Sequence, residues 1–123
     1  MLMRFRTFAI SAVIFAASAP QSFAADAAHG DRIFQENCAR CHAISASEPG
    51  KRGPYLAGLF QRAPGSVKGF PYRMVFTDAK PVWTEKSLDD YLVIHLLSEP
   101  SDRSDVIAFL KQATAMPPGG SVK

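Results

Sequence analysis

The sequence predicts a small all-α protein in which three helices are joined by long loops. Its 123 residues are enough for one domain. Three segments repeat apolar residues at spacings of three and four, each behind a residue that can cap a helix. No segment of useful length alternates apolar and polar residues as a half-buried strand does.

The first predicted helix begins after Asp26, whose side chain can cap it, and runs to about Asn37. Ile33 and Phe34 share its apolar side, and Gly30 lies one turn before Phe34. This segment therefore has a residue that can cap its N-terminus and an apolar face that can pack into a core.

The second and third predicted helices lie near the C-terminus. Thr84 can cap the second helix, whose inward positions are Leu88, Tyr91, Leu92 and His95. Either Ser101 or Asp102 can cap the third helix, and Pro117 is expected to end it. The apolar stripe of the third helix consists of Val106, Phe109, Leu110 and Ala113.

The N-terminal segment has the pattern of a secretory signal. Arg4 and Arg6 precede an apolar run over 8–19, and small residues stand at the cleavage positions in 22–24. We expect cleavage after Ala24, which leaves residues 25–123 as the mature domain. An uncleaved membrane anchor is the alternative, but the run is shorter than the roughly 20 residues that a spanning helix needs. No stable membrane insertion is expected after cleavage.

The charge balance points to no particular partner. The chain has 14 Lys and Arg against 11 Asp and Glu, and two of the arginines belong to the predicted signal. The basic residues are scattered, whereas a nucleic-acid-binding domain clusters them on one face. No nucleic-acid partner is therefore predicted.

The stretch 43–82 contains five prolines and five glycines but also many large apolar residues. A structureless loop of this length is unusual inside a compact domain, and three short helices provide only a thin core. A large apolar cofactor at the centre of the core would explain both features. The residues that would bury against it include Tyr55, Leu56, Leu59, Phe60, Phe70, Tyr72 and Phe76.

The two cysteines of the chain lie three residues apart, and a histidine follows directly. Cys38-Ala39-Arg40-Cys41-His42 is a C-x-x-C-H motif, which attaches haem c. Two intervening residues bring both thiols to the two vinyl groups on one edge of the haem. The adjacent His42 then becomes the proximal iron ligand.

Three other interpretations of this motif stay open at this point. A disulfide between Cys38 and Cys41 suits an oxidising compartment, although a thioredoxin-like fold would need strands. A zinc site would need a second spaced ligand pair, which the sequence lacks. The third alternative is coincidence. The signal pattern and the apolar loop favour one covalently attached haem c.

Further segments follow the motif in a specific order and spacing, at least as far as Leu92. They are HGDRIF at 29–34, RGPYLAGLF at 52–60, the stretch 62–72, WT at 83–84, LDDYL at 88–92 and DRSDVIAFL at 102–110. With CARCH at 38–42, they make the chain resemble the class I cytochromes c, in particular the cytochrome c2 and mitochondrial-like branch. The resemblance implies a small fold of three main helices and long loops wrapped around one covalent haem.

The resemblance also implies roles for single residues. Pro54 would offer its carbonyl to the outer ring nitrogen of His42 and so fix its tautomer. Arg62, Tyr72 and Trp83 would hydrogen-bond a buried haem propionate. An ordinary surface arginine and an ordinary core tryptophan are the alternatives for Arg62 and Trp83.

Two further roles implied by the resemblance concern helix packing and the distal side of the haem. Gly30 and Phe34 would cross the third helix near Val106 and Phe109, and Tyr91 would face the distal side. Gln61 stands where the family usually has glycine, which affects the turn but leaves the arginine in place.

The chain departs from the family at the distal iron ligand. The family supplies a Met from a proline-rich loop between the last two helices, but here about a dozen residues of that connection are missing. His95, four residues after Tyr91, is the best replacement, provided that the second helix continues to about Leu97 and 98–100 make the turn. Met74, Met116 and a water or open position are the other candidates.

The distal ligand decides between two function classes. With His95 bound to iron, the protein would be a low-potential single-electron carrier between protein redox partners, not an enzyme. With an open position it would be a ligand-binding or peroxidase-like haem protein. A third possibility is a former carrier spoiled by the deletion. We expect a periplasmic monomer, and the sequence does not name its donor or acceptor.

Overall fold

The computed structural model describes residues 24–48, 51–73 and 82–117, and these contain three α-helices. The helices are α1 at Ala27–Asn37, α2 at Glu85–His95 and α3 at Pro100–Ala113, with a short 3₁₀ helix at Leu59–Gln61. No strand occurs in the described ranges, which confirms the all-α prediction. The predicted signal segment lies outside them except for Ala24. No helix within these ranges is both long and apolar enough to cross a membrane.

Helix α1 begins where the sequence predicted. The Asp26 side chain accepts hydrogen bonds from the backbone N–H groups of Ala28 and His29, at 2.9 and 3.1 Å, and so caps two donors that have no partner within the helix. At the other end, Cys38 and Ala39 both donate their N–H groups to the Phe34 carbonyl. Helix α1 therefore ends directly at the first cysteine.

Helices α1 and α3 cross at Gly30. A Cβ atom at this position would lie 2.0 Å from the carbonyl oxygen of Asp105 and 2.9 Å from the Cβ of Phe109, so only glycine allows this approach. One turn further, the Phe34 and Phe109 rings pack with their centroids 5.5 Å apart. The expected helix crossing is confirmed.

Helix α2 has the predicted start but an earlier end. Thr84 and Ser87 form a capping box. The helix ends at His95 rather than near Leu97, because the N–H groups of Leu96 and Leu97 both turn back to the Leu92 carbonyl. The turn into α3 is therefore 96–99 instead of the expected 98–100.

The predicted cap of α3 was wrong, and so was its predicted end. Glu99 is the cap and Pro100 is the first helical residue, so the helix starts before both Ser101 and Asp102. Proline suits this position because its fixed φ is already helical and its missing N–H would have no partner there. The helix ends at Ala113 because Thr114 caps it, well before Pro117.

The core lies between the helices and the 3₁₀ helix, and α3 contacts all the others. Part of the long loop is anchored to this core: Gly58 takes a left-handed φ of 67° and donates its N–H to the Thr114 carbonyl at 2.8 Å. The buried apolar cluster consists of Ile33, Phe34, Leu59, Leu88, Leu92, Leu97, Val106, Ile107 and Leu110. Cys38, Leu56, Trp83 and Tyr91 pack against its edge.

Candidate functional site

The two cysteines lie in a tight turn at the end of α1. The N–H groups of Cys41 and His42 both donate to the Cys38 carbonyl, at 2.9 and 2.8 Å. Both thiols are partly buried and are not joined in a disulfide. Burial raises the pKa of the Cys38 thiol, and the neighbouring Cys41 adds to this effect. The turn therefore presents two unpaired thiols close together.

The His42 ring is oriented by the chain segment that follows the motif. Its Nδ1 lies 2.8 Å from the Pro54 carbonyl oxygen. Because a carbonyl can only accept, Nδ1 carries the proton and Nε2 keeps a lone pair. This is the hydrogen bond that the resemblance implied.

Gly53 completes the support of the His42 ring, and the sequence analysis gave this residue no role. A Cβ atom here would lie only 2.5 Å from Cε1 of the imidazole, so the ring packs against bare backbone. The Gly53 N–H also donates to the Cys41 carbonyl at 2.8 Å. The signal that could have revealed it is a glycine directly before Pro54.

Lys51 is a second residue that the sequence analysis missed. Its Nζ donates to the Ala39 carbonyl at 2.7 Å and lies 3.5 Å from the His42 carbonyl oxygen. The ammonium group therefore ties the loop after the motif to the cysteine turn. No pattern in the sequence marks this lysine.

Arg62 is held by its own loop. Its Nε donates to the Ala57 carbonyl at 3.1 Å and its Nη2 to the Tyr55 carbonyl at 2.6 Å, with the guanidinium 5.5 Å above the Tyr55 ring. The Arg62 carbonyl in turn accepts the N–H of Trp83 at 3.3 Å. The structure thus brings Arg62 and Trp83 together through the main chain.

The aromatic residues of the predicted site fall into two groups. Trp83 and Tyr91 form an edge-to-face pair with centroids 5.5 Å apart. Tyr72 pairs with Phe70 at 4.8 Å, and its hydroxyl accepts the N–H of Val67 at 3.1 Å. Trp83 therefore joins α2 to the Arg62 loop, while Tyr72 organises the turn at 67–72.

The structure describes the candidates for the distal ligand to different extents. His95 is the last residue of α2, and its side chain is outside what the structure describes, as is all of Met74. Met116 lies beyond α3, where its N–H is 3.4 Å from the Gln61 side-chain oxygen. Among the described residues, no three His, Cys, Asp or Glu side chains are grouped as a metal site would require.

Comparison with known proteins decides the family. A family model described as cytochrome c matches residues 27–114. A cytochrome c of Chlamydomonas reinhardtii is 40% identical over 104 residues, covering 75% of this chain and 93% of that protein. A cytochrome c of Nigella damascena is 35% identical over 111 residues, covering 80% of this chain and all of that protein. This chain belongs to the cytochrome c family.

Cytochrome c proteins carry one covalently attached haem c and act as electron carriers, and both statements hold for this member. Its residues fit the cofactor on structural grounds. Two unpaired thiols share one turn, a hydrogen bond to Pro54 places a ring proton of His42 on Nδ1 and turns Nε2 away from it, and the partly buried Leu56, Trp83 and Tyr91 add an apolar surface.

The alignments also bear on the shortened connection. The alignment with the Nigella damascena cytochrome c takes in 111 residues, yet it uses 80% of the 123 residues of this chain, or about 98. About a dozen positions of that cytochrome c therefore have no counterpart here. This number equals the dozen or so residues that we expected to be missing from the connection before α3.

Proposed function

We propose that this cytochrome c is an exported electron carrier whose haem is attached by Cys38 and Cys41, with His42 as the proximal ligand. The observation that carries the proposal is the 2.8 Å hydrogen bond between His42 Nδ1 and the Pro54 carbonyl. It leaves Nε2 as the metal-binding atom and increases the basicity of the ring. When bound, the haem supplies an iron that changes by one electron between its ferric and ferrous forms.

Other residues of the chain bind and shield the cofactor in this proposal. Leu56, Trp83 and Tyr91 exclude water from the site, because they present large apolar surfaces at the edge of the core. Arg62 uses Nε and Nη2 for main-chain carbonyls and has further N–H groups for a propionate, since guanidinium has five. Trp83 and Tyr72 would complete the propionate site.

We further propose that His95 is the distal ligand and that the potential is low. The backbone of α2 remains helical through His95, which puts this residue one turn after Tyr91. A neutral imidazole binds iron well. Replacing the Met of the family with His lowers the potential, because a Met ligand is what raises it.

The second candidate function is ligand binding or peroxidase-like turnover at an open sixth position. The observation that favours it is the early end of α2, since His95 is its last residue instead of lying inside the helix. Its neighbour Ile94 is 76% exposed, so the side chain next to His95 contributes little packing there. A ligand held at a helix end exchanges more readily than one inside a packed turn.

We propose a periplasmic location and a monomeric state, with protein redox partners as donor and acceptor. The support is the signal pattern of residues 1–24. Cell fractionation and N-terminal sequencing check this part. The mature chain should begin at Ala25 and appear in the periplasmic fraction, and a chain that begins at Met1 in the membrane fraction would contradict it.

The haem attachment is tested on protein made with a periplasmic maturation system. The haem should remain with the protein through acid–acetone extraction, and Cys38→Ala should remove one thioether. Free release of the haem from the unmodified protein, or two intact thioethers in Cys38→Ala, would contradict the attachment.

The axial ligation is tested by low-temperature EPR and near-infrared spectra of the ferric protein. The unmodified protein should be low-spin with two histidine ligands, and His95→Ala should be high-spin and bind added imidazole. His29→Ala is the matched control, because it removes a histidine that lies in α1 and pairs with Asp105 of α3. If the unmodified protein is already high-spin and binds imidazole, the open-position alternative is correct.

A further inference from the structure

Arg103 is a buried charge in the first turn of α3. Only 8% of the residue is exposed. Its Nε donates to Asp89 Oδ1 at 2.6 Å, and its Nη1 donates to the carbonyl oxygens of Leu97 and Ser98 at 2.9 and 2.7 Å. These four residues, which we term the Arg103 clamp, join α2, the turn 96–99 and α3 in one hydrogen-bonded unit.

The clamp supplies hydrogen bonds to the turn between the two helices. The last carbonyls of a helix and the first residues after it have no intrahelical donors. Glu99 caps α3 without a side-chain hydrogen bond, so no capping side chain orders the turn. Arg103, in the first turn of α3, donates the hydrogen bonds that this turn would otherwise lack. A buried guanidinium requires such acceptors, because without them its desolvation is costly.

A second polar contact between α2 and α3 is of a different kind. Lys111 pairs with Glu85 at the beginning of α2, and these side chains are 51% and 60% exposed. Exposed ion pairs contribute little to stability. Of these two contacts the clamp is the buried one, and it acts at the end of α2 that carries His95.

We propose that Arg103 is a positioning residue for the distal side of the haem. Through the clamp it fixes the C-terminal turn of α2, and thereby the position from which His95 reaches the iron. This inference rests on the proposed ligation by His95. The side chain of Leu97 is buried in the core and anchors the same turn. Because this anchor remains, loss of Arg103 loosens the turn without unfolding the domain.

The test compares Arg103→Met and Arg103→Lys in the haem-loaded protein. Hydrogen exchange at the amides of Leu96 and Leu97 should become about tenfold faster or more in Arg103→Met, since a charge-assisted hydrogen bond there is lost. The amides of Cys38 and Ala39, which make the equivalent bonds at the end of α1, are the internal reference.

The spectroscopic signature separates positioning from simple stability. Arg103→Met should convert part of the ferric protein to high-spin and increase its affinity for imidazole. Arg103→Lys should lie between Arg103→Met and the unmodified protein, because an ammonium group can serve one of the carbonyls but has no planar fork. Lys111→Met, which removes the exposed pair, should leave the spectrum unchanged.

Two outcomes would overturn the positioning role. One is unchanged exchange at Leu96 and Leu97 in Arg103→Met. The other is faster exchange in a protein that stays fully low-spin with unchanged imidazole affinity, since the turn would then have no influence on the ligand. If the unmodified protein is high-spin, ligation by His95 fails, and the exchange data alone decide whether Arg103 fixes the end of α2.

Discussion

Replacing Gly30 with alanine tests the helix crossing on which the fold depends. The new Cβ would lie 2.0 Å from the Asp105 carbonyl oxygen, whereas ordinary contacts begin at 3.4 Å, so α1 and α3 must separate by about 1.4 Å. Overpacking of this kind costs about 1–3 kcal/mol, and the separation also loosens the contact of Phe34 with Val106 and Phe109. Alanine returns about 1 kcal/mol through its better helix propensity.

Because the clashing atom is a backbone oxygen and not the end of a flexible side chain, the overpacking cost falls at the upper end of this range, about 3 kcal/mol. The expected net loss is then about 2 kcal/mol, which lowers the melting temperature of a domain of this size by about 8–16 °C. Thermal unfolding followed by circular dichroism measures it. Gly69→Ala is the control: its φ of 79° is unfavourable for alanine, but among the described residues no atom beyond its chain neighbours lies within 4 Å of the new Cβ, so only about 1 kcal/mol is lost. If Gly30→Ala melts at or above the temperature of the unmodified protein, the close approach of the helices is refuted.

Three further predictions follow from single contacts. The pKa of Asp105 is held below its ordinary 3.8 by the His29 hydrogen bond and then by a backbone N–H, so its contribution to stability is present above that value and lost as the pH falls. Acid titration of Asp105→Asn should therefore show a weaker loss of stability below about pH 4 than the unmodified protein, and an identical titration would contradict this. Gly53→Ala should displace the His42 ring and shift the midpoint potential, measured by redox titration, and an unchanged potential would remove Gly53 from the site. Arg62→Ala should shift the potential and cost about 1–3 kcal/mol, because two partly buried carbonyls lose their donor; an unchanged potential would leave Arg62 a purely structural role.

The helix starts that the sequence predicted correctly are those set by local chemistry. Asp26 and Thr84 each place a side-chain oxygen one turn before an apolar stripe, and each accepts the N–H groups that such a cap satisfies. At α3, three adjacent residues are each typical of a helix start. Pro100 prevailed over Ser101 and Asp102, because a fixed φ and a missing N–H suit the first helical position without any side-chain hydrogen bond.

The residues that sequence analysis missed have contacts that come from distant parts of the chain. Lys51 donates to a carbonyl that is twelve residues earlier, and Arg103 donates to Asp89 from another helix. Lysine and arginine at these positions look like ordinary surface residues in the sequence, since neither spacing nor composition reports which carbonyls will lack donors after folding. The C-x-x-C-H motif was readable because its chemistry is local: two thiols and an imidazole in five consecutive residues.

The connection between α2 and α3 contains the two carbonyls that Arg103 binds, and it directly follows His95. A loop that is shorter by about a dozen residues has a slightly lower entropic cost of closure, so the length of the connection has little influence on the stability of the fold through this effect. The greater demand is geometric, because the chain must pass from α2 into α3 within 96–99, and the carbonyls of that turn must find donors. Arg103 and Leu97 meet this demand with a buried charge and a buried side chain. A turn ordered in this way holds the end of α2 at a fixed position, which is the condition that the proposed ligation by His95 requires.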